Sequence, residues 1–472
     1  MLPDEVLLEI FDFCVDEDAS KKEDVEAWQS LVHVCRRWRS VVFGSPRRLN
    51  LRLACGPGIF VRDKLDIWPP LPLVIRGSIR RTDPDGDNLI TILERRDRVC
   101  QINLYDVELP LGQLEVVAAM QEPFPELTDL LLSSFLSTTR VRVLPDSFLV
   151  GSVPRLRNLY LNRIPFPGLP KLLLSATHLV NIQLYHIPHS GYFTPEALVT
   201  ALSTLTSLRL LVLKFQPSPN RASRHPTPTS DPHALLPVLN TLRFEGVSEY
   251  LDDLVARIDA PRLNDLEILF LNQSILDTPQ FTQFTRRTPI FNELQKAYVA
   301  FQLEDAAVKL SSLTSSPGEL KVKILCSGVN WQISTLKQFF TSYLPLSTSE
   351  DVYIHRNIDL QPDPDDNVES VENIMWLELL HVFAGVKNLY LSKDIAPHIG
   401  RALQELVGGS TTGVLSIVQN IHLEGIRPRG SVLEGIEKFI AVRQLSGQPI
   451  TVSTIPLWES DLMRWASEFH KR

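Results

Sequence analysis

Cysteine is scarce in this chain, and so are the features that mark secreted and membrane proteins. Its 472 residues include five cysteines, which are too few and too scattered for a disulfide framework or a zinc site. No apolar run approaches the roughly 18 residues of a membrane span. Asp4, Glu5 and Glu9 occupy positions that a signal peptide would fill with basic and then apolar residues. These absences predict an intracellular protein, cytoplasmic or nuclear, whose thiols are reduced and mostly buried.

Basic charge and catalytic motifs are lacking as well. The net charge of −8 argues against nucleic-acid binding through bulk electrostatics. The sequence has no G-x-S-x-G elbow, no H-E-x-x-H pair and no cysteine within a recognisable catalytic signature. We therefore expect no catalytic residues, no metal ligands and no cofactor. The chain is predicted not to be an enzyme, to bind no nucleic acid and to contact no membrane.

Three stretches resemble ligand sites, and each has a simpler interpretation. Residues 83–94 (DPDGDNLITILE) have the acidic spacing of an EF-hand calcium loop, but a strand-like segment precedes them and no second copy exists. We interpret them as a turn leading into a capped helix. His186 and His189 flank Pro188, which prevents a helical ligand face, so we expect both on a loop surface. The glycine-rich residues 407–413 lack the lysine of a phosphate loop and are expected to end a helix.

Two or three amphipathic helices are predicted before residue 47. Pro3 and the two acidic residues after it favour a helix start. Apolar residues recur at helical spacing over residues 6–14 and again over residues 28–38, and Gly-Ser-Pro at 44–46 ends the second series. A unit this small is marginally stable alone, so we expect it to pack against the rest of the chain or a partner.

These residues resemble an F-box over about a tenth of the chain. The resemblance lies in LPDEVLLEIF at residues 2–11, LVxVCRRWR at 31–39 and Ser-Pro at 45–46, although the acidic segment 16–26 lengthens the first loop. In that family the motif docks on the small Skp adaptor of cullin-RING ubiquitin ligases. The resemblance implies this adaptor-binding face: Leu2, Pro3, Leu7, Ile10, Phe11, Leu31, Val34 and Trp38. The alternative is an ordinary amphipathic hairpin packed on the rest of the chain.

A short pattern, P-x-L-x-x-L-x-L, recurs after residue 95. Copies with the proline begin at Pro125, Pro154, Pro237 and Pro261. Copies without it lie at 99–104, 179–184, 208–213, 386–391 and 418–423. Between Leu104 and Ile268 the interval from one copy to the next is long enough for one strand and one helix per unit. Helices are predicted in the intervening segments 194–205, 250–259 and 399–407.

Units of this kind bury their apolar sides only against their neighbours, which predicts a curved solenoid. The pattern resembles leucine-rich repeats in a degenerate form, because the usual asparagine-ladder position is mostly absent. Together with the F-box it resembles an F-box/LRR protein of the fungal type. The predicted fold class is α/β: a short N-terminal all-helical F-box followed by a leucine-rich-repeat-like solenoid with parallel strands on the concave face.

The predicted domain boundaries follow from these patterns. The helical domain spans residues 1–48 and the solenoid spans residues 49–472. Two stretches without periodicity, near 216–233 and 360–370, are predicted loop insertions. Between residues 272 and 359 the repeat register blurs, although ELKVKILCS and EDVYIHRN still indicate strands.

Two functional interpretations follow from the resemblance. In the first, the chain is the substrate-recognition subunit of a Skp-cullin-F-box ubiquitin ligase, with a Skp adaptor, a cullin and an unknown target protein as partners. In the second, it is a free-standing leucine-rich-repeat scaffold or ligand sensor whose helical N-terminus only caps the solenoid. A calcium-regulated or hydrolytic enzyme, the third class, rests on residues 83–94 alone.

A target-binding face is predicted from strand alternation. The apolar positions of each repeat strand point into the core, so the residue between them points outward. The predicted target-binding residues are Tyr160, Gln183, Arg243, Glu267, Tyr390 and His422.

Overall fold

The structure is a computed structural model that divides into two compact units, Met1–Gln216 and Pro217–Arg472. It describes residues 2–16, 28–46, 48–56, 65–78, 86–105, 114–134, 143–217, 233–271, 278–312, 318–343, 349–356, 373–406, 414–424, 431–445 and 447–455. The loop predicted near 360–370 and most of the loop predicted near 216–233 lie outside these residues. The division into 1–48 and 49–472 stays a prediction.

The first unit begins with three helices that pack on one another: α1 Asp4–Asp16, α2 Trp28–Val32 and α3 Arg36–Gly44. Cys35 provides the N-cap of α3, because its backbone is extended and its Sγ accepts a hydrogen bond from the Trp38 N–H at 3.4 Å. Leu7, Phe11 and Val42 are buried between the helices. The predicted helical N-terminus is therefore present, with three helices.

Parallel strands form the rest of the first unit. The strands, each paired in parallel with the next, are β1 Leu53–Cys55, β2 Leu73–Ser78, β3 Val99–Tyr105, β4 Asp129–Ser133, β5 Asn158–Asn162, β6 Asn181–Ile187 and β7 Leu210–Phe215. The helices between them are α4 Gly86–Leu93, α5 Leu114–Ala119, α6 Leu169–Ser175 and α7 Pro195–Leu202. Thr194 caps α7, as expected for a predicted helix start, because its Oγ1 accepts a hydrogen bond from the Ala197 N–H.

One row of leucines shows why these strands align. Leu132, Leu161, Leu184 and Leu213 stand opposite one another on β4 to β7, and all four are buried. A slip of one residue would turn a whole strand's leucines to the other face, so the row fixes the register. The predicted burial and parallel pairing of these leucines is confirmed.

The second unit has a mixed sheet. Its strands are β9 Thr241–Gly246, β11 Asp265–Phe270, β12 Lys296–Phe301, β13 Asp305–Ser311, β14 Glu319–Leu325, β15 Asp351–Arg356, β16 Asn388–Leu391, β17 Asn420–Glu424 and β18 Thr451–Ile455. A small separate pair joins β8 Ala234–Leu235 to β10 Ile258–Asp259. The helices are α8 Ser248–Ala256, α9 Pro279–Arg287, α10 Val329–Tyr343, α11 Asn373–Val382, α12 Ala396–Leu406 and α13 Ser431–Leu445.

The expectation of parallel strands is wrong for one part of this sheet. β9 pairs in parallel with β11, and β11 pairs in parallel with β14. The next two pairs, β14 with β13 and β13 with β12, are antiparallel. The remaining pairs, from β12 with β15 to β17 with β18, are parallel again. Residues 302–304 are all that separates β12 from β13, which is too short for the crossover that parallel strands need. Both units are thus α/β, with a sheet in which parallel pairs predominate.

The cysteines are less buried than expected. All five are free, but Cys14 and Cys35 are exposed, Cys100 and Cys326 are half-buried, and only Cys55 is buried. Cys35 is exposed because it caps a helix at a surface turn. Within the described residues, no helix is both long and apolar enough to cross a bilayer.

Candidate functional site

The helical N-terminus presents a continuous apolar surface. Leu2, just before α1, is followed at helical spacing by Val6, Ile10 and Phe13 within it, and all four are exposed. We call these four residues the α1 stripe. Phe13 is 71% exposed, which is unusual for a phenylalanine that belongs to a folded helix. Val34, in the turn between α2 and α3, is a further exposed apolar residue of this unit.

Three residues of the predicted adaptor-binding face are buried instead. Leu7, Phe11 and Leu31 lie inside the helical unit, so they hold its helices together and present no surface to a partner. Trp38 is half-buried, and its ring packs against that of Phe11 with centroids 4.7 Å apart. The other predicted residues, Leu2, Pro3, Ile10 and Val34, are exposed.

The sequence analysis missed Val6 and Phe13, the other two members of the α1 stripe. The signal was available, because residues 2, 6, 10 and 13 have the spacing of one helix face. The apolar face of α1 is wider than one stripe, so the sequence did not indicate which part of it faces the core.

Ion pairs hold α1 in place against the rest of the helical unit. The Arg37 guanidinium donates to the Asp4 carboxylate at 2.6 Å and to the Leu2 carbonyl oxygen at 2.5 Å, which ties the start of α1 to α3. Arg48 pairs with Glu9 further along α1. These groups are exposed, so each pair is worth little energy. Their effect is to fix the orientation in which the α1 stripe is displayed.

Trp28 joins the helical unit to the first strands. Its indole Nε1 donates a hydrogen bond of 2.9 Å to the carbonyl oxygen of Arg52, directly before β1. The same buried ring packs edge-on against Trp68 at 5.1 Å and against Phe43 at 6.0 Å. The three helices are therefore built onto the sheet of the first unit.

The outward face of the first unit's sheet carries Tyr160 and Gln183, as predicted. They stand opposite each other on β5 and β6, half-buried between the inward apolar residues. The next outward row, at the strand ends, contains Tyr105, Ser133, Asn162, Tyr185 and Lys214. The rings of Tyr160 and Tyr185 lie 5.3 Å apart.

A ladder of side chains crosses the strand starts of this face. Asp129 accepts hydrogen bonds from the amides of Gln101 (2.9 Å) and Asn158 (2.6 Å), and Asn158 in turn accepts one from Asn181 (2.7 Å). Sequence reasoning missed this ladder. Its signal is an Asn or Asp directly before the first apolar residue of the strand, which most of the copies have; Gln101, Leu210 and Thr241 are the exceptions.

The same ladder recurs in the second unit. Asn388 donates to Asp351 and accepts from Asn420, both at 2.7 Å. Such bonds satisfy polar groups that are half-buried beside one another on the sheet. The ladder therefore stabilises the strand starts in both units.

A charged network covers part of the second unit's outward face. Arg243 and Glu267 stand opposite each other on β9 and β11, and the Nε of Arg243 lies 3.4 Å from a Glu267 carboxylate oxygen. Both predicted residues are half-buried within this network. Burial alone would raise the pKa of nearby Glu319, but hydrogen bonds and charge from Lys321 and Lys309 outweigh it and lower that pKa.

Stacked rings continue the same row across β12, β15, β16 and β17. Tyr298, Tyr353, Tyr390 and His422 lie face to face, with successive ring centroids 4.5, 4.1 and 4.4 Å apart. We call them the ring ladder. Burial and the neighbouring Tyr390 and Tyr298 raise the pKa of Tyr353, so its hydroxyl is neutral at physiological pH. The predicted residues Tyr390 and His422 are members of the ladder, half-buried and in contact with each other.

The other stretches considered in the sequence present no comparable site. Residues 83–85 lie outside the described residues, and from Gly86 the chain is helical where a calcium loop would need turns. His186 lies in β6 rather than on a loop, with its Nδ1 3.0 Å from the Asn162 Oδ1. Residues 407–413 lie outside the described residues. In the part of the chain that is described, no three His, Cys, Asp or Glu side chains are grouped as metal ligands would be.

Comparison with known families matches residues 1–49 to the F-box-like family. The match covers the three helices and the turn before β1, about a tenth of the chain. F-box domains generally bind Skp-type adaptors. No curated protein matches this chain.

Proposed function

We propose that the chain is the substrate-recognition subunit of a Skp-cullin-F-box ubiquitin ligase. The F-box-like helices would dock on a Skp adaptor, and the leucine-rich-repeat-like solenoid would hold a target protein. The observation that carries this proposal is that the F-box-like match and the exposed α1 stripe fall on the same helices. A role within an F-box/LRR protein accounts for both.

The α1 stripe supports docking on energetic grounds. Large apolar side chains left in water on a helix face mark a surface that a partner covers. Burying apolar area contributes roughly 25 cal/mol per Å², and a few fully buried anchors dominate most interfaces. Phe13 and Ile10 are the anchors we assign to the adaptor contact, with Leu2, Val6 and Val34 around them.

The outward faces of the strands in both units support target binding. Their tyrosines, amides and charged groups stand on paired strands, which hold side chains rigidly. Tyrosine is enriched at protein interfaces because it buries a large ring and keeps a hydroxyl for hydrogen bonding. The chain itself would do no chemistry. Holding a target lysine near a ubiquitin-charged enzyme raises its effective concentration.

Titration with a purified Skp adaptor tests the docking step. Ile10→Asp and Phe13→Asp each place a charge in the proposed contact, and we expect each to weaken adaptor binding at least about a hundredfold. Leu174→Asp is the matched control, because Leu174 is an exposed leucine on α6 and should leave binding unchanged. Full-strength binding by both stripe variants, or no binding by the unaltered chain, would contradict the proposal.

The alternative is a free-standing repeat scaffold whose helices only cap the first strand. The contacts of Trp28 with Trp68 and with the Arg52 carbonyl favour it, because they are what a cap requires. A cap, however, does not explain why four apolar residues of the α1 stripe stay exposed. The two functions differ in one measurement: the ligase subunit forms a stoichiometric complex with an adaptor and a cullin, and the scaffold does not.

A further inference from the structure

Two cations flank one strand end on the outward face of the first unit. The Lys214 Nζ, on β7, lies 5.7 Å from the centroid of the Tyr185 ring on β6. Arg163 directly follows β5, and its backbone N–H donates a 2.9 Å hydrogen bond to the Tyr185 backbone carbonyl oxygen. Burial, and then the charges of Arg163 and Lys214, lower the pKa of His186, which lies between them. The lowered pKa favours the neutral form of the histidine at physiological pH.

Arg163 and His186 share an uncommon backbone conformation. Their φ angles are 57° and 51°, in the left-handed region that few residues other than glycine adopt. At His186 this coincides with an irregularity in the pairing of β6 with β7. A bulge of this kind changes where a strand's last side chains point, and bulges are frequent beside functional sites.

Hydroxyl and amide groups lie beside the two cations. Burial raises the pKa of Tyr160, and the neighbouring Tyr185 and Tyr105 raise it further, so its hydroxyl remains a neutral hydrogen-bond donor. The amide of Asn162, in the same row as Tyr185, is already engaged, because its Nδ2 donates a 3.1 Å hydrogen bond to the Ser133 Oγ. Tyrosine hydroxyls next to cations are suited to carboxylate oxygens, which accept several hydrogen bonds each.

Negative charge on this face lies at the other end of the strands. Among the described outward positions of β3 to β7, Asp129 is the one carboxylate, and it lies at a strand start. Hydrogen bonds from Gln101, Thr128 and Asn158 already satisfy it. Among the described residues of this face, the cations therefore lie at the strand ends, although the chain as a whole carries a net charge of −8.

We propose that the strand-end half of this face, with Arg163, Lys214, Tyr160 and Tyr185, binds an acidic segment of the target protein. The inference rests on the proposed target-binding role of the repeats. Arg163 directly follows β5 and Lys214 lies in β7, and these two strands are two positions apart in the sheet, roughly 10 Å at the usual strand spacing. Cations spread in this way match several carboxylates along an extended chain better than they match a single phosphate.

Fluorescence anisotropy on the full chain tests this inference. The probe is a fluorescein-labelled peptide of alternating Glu and Ser. Two further labelled peptides are compared with it: one of alternating Gln and Ser, and the same Gln and Ser peptide with one serine phosphorylated. We expect only the Glu peptide to bind measurably, with an affinity that falls as salt rises. The double variant Arg163→Asn, Lys214→Gln should weaken its binding at least about tenfold. Asparagine is chosen because it tolerates the left-handed backbone of position 163.

The matched control removes the same two charges from the opposite ends of the same strands. Arg157→Asn, Arg209→Gln alters exposed residues directly before β5 and β7, so it should leave peptide affinity unchanged. Any of three results would overturn the inference. The Glu and Gln peptides bind equally, both double variants lose the same affinity for the Glu peptide, or the phosphoserine peptide alone binds. Adaptor binding is measured in parallel. Its absence refutes the proposed ligase role and leaves the peptide result standing, because the two surfaces share no residue.

Discussion

The rings of Phe11 and Trp38 lie 4.7 Å apart at an angle of 59°, and this contact joins α1 to α3. Slightly further along α1, Phe13 points to solvent. Two phenylalanines in one helix therefore have different roles: Phe11 stabilises the F-box-like unit, and Phe13 is available to a partner.

Alanine substitution separates these roles. Phe11→Ala removes a fully buried ring and should lower the free energy of unfolding by about 3–5 kcal/mol. Phe13→Ala should change it by less than about 0.5 kcal/mol, while weakening adaptor binding. Urea unfolding followed by tryptophan fluorescence measures both. A larger stability loss in Phe13→Ala than in Phe11→Ala would show that α1 packs on its other face.

The Trp28 indole should contribute to the stability of the folded chain through its hydrogen bond as well as through the packing of its ring. Trp28→Phe leaves the half-buried Arg52 carbonyl oxygen without this donor, which should cost about 1–3 kcal/mol of stability. Trp331→Phe is the control, since Trp331 is 61% exposed at the start of α10 and should have little effect. Calorimetric melting temperatures of the two variants provide the comparison. Identical melting temperatures would mean that the Trp28 bond adds nothing.

Leu161 tests the leucine row of the first unit. Leu161→Ala should cost roughly 2–5 kcal/mol, because its neighbours Leu132 and Leu184 stand opposite it in the buried row. The exposed Leu174 serves again as the matched position, and Leu174→Ala should be close to neutral. Chemical denaturation reports both changes. A small cost at Leu161 would argue against a shared core under these strands.

The ring ladder should make the free energy of unfolding decrease as the pH becomes alkaline. The pKa of Tyr353 is raised in the folded chain, so folding favours its protonated form, and an unfolded tyrosine ionises near pH 10. Its contribution to stability is therefore complete below about pH 10 and is lost as pH rises above that value. Tyr353→Phe removes the titrating hydroxyl but keeps the ring. Unfolding free energies measured between pH 8 and pH 11 should fall less steeply in this variant than in the unaltered chain, and an unchanged slope would contradict the assignment.

Local patterns in the sequence predict most of the parallel fold. The alternation Asn158-Leu159-Tyr160-Leu161 indicates a strand with one buried side, and the structure has that strand with that burial. Thr194 followed by Pro195 predicts the start of α7 correctly, because capping depends on neighbouring residues only. Tyr160 and Gln183 were placed on the outward face for the same local reason.

Other features depend on contacts that a sequence pattern does not contain. The burial of Phe11 and the exposure of Phe13 follow from the position of Trp38, which belongs to a different helix, far from Phe11 along the chain. The sequence pattern did not predict the antiparallel strands β12 and β13, because polar and apolar residues do not alternate regularly there. Ala300 and Ala307 are buried although they stand at outward positions. The resemblance to an F-box assigned Leu7, Phe11 and Leu31 to the adaptor contact, and the structure places them in the core.

The reversal at β12 and β13 has a consequence for the order in which the second unit folds. Elsewhere in this sheet a strand mostly adds to one that has just formed. Here β11 pairs with β14 across the whole of β12 and β13, and β12 pairs with β15 across the whole of β13 and β14. The antiparallel strands β12, β13 and β14 pair through short connections, whereas joining β14 to β11 and β12 to β15 closes longer loops. Attaching these three strands to the rest of the sheet is therefore the step with the larger loop-closure cost.

Strand-by-strand growth of the sheet, which is fast because successive parallel strands are close in sequence, therefore stops at β11 and restarts at β15. We expect the slowest folding phase of this unit to belong to that step, and the strands on either side of it to gain protection from hydrogen exchange at different times.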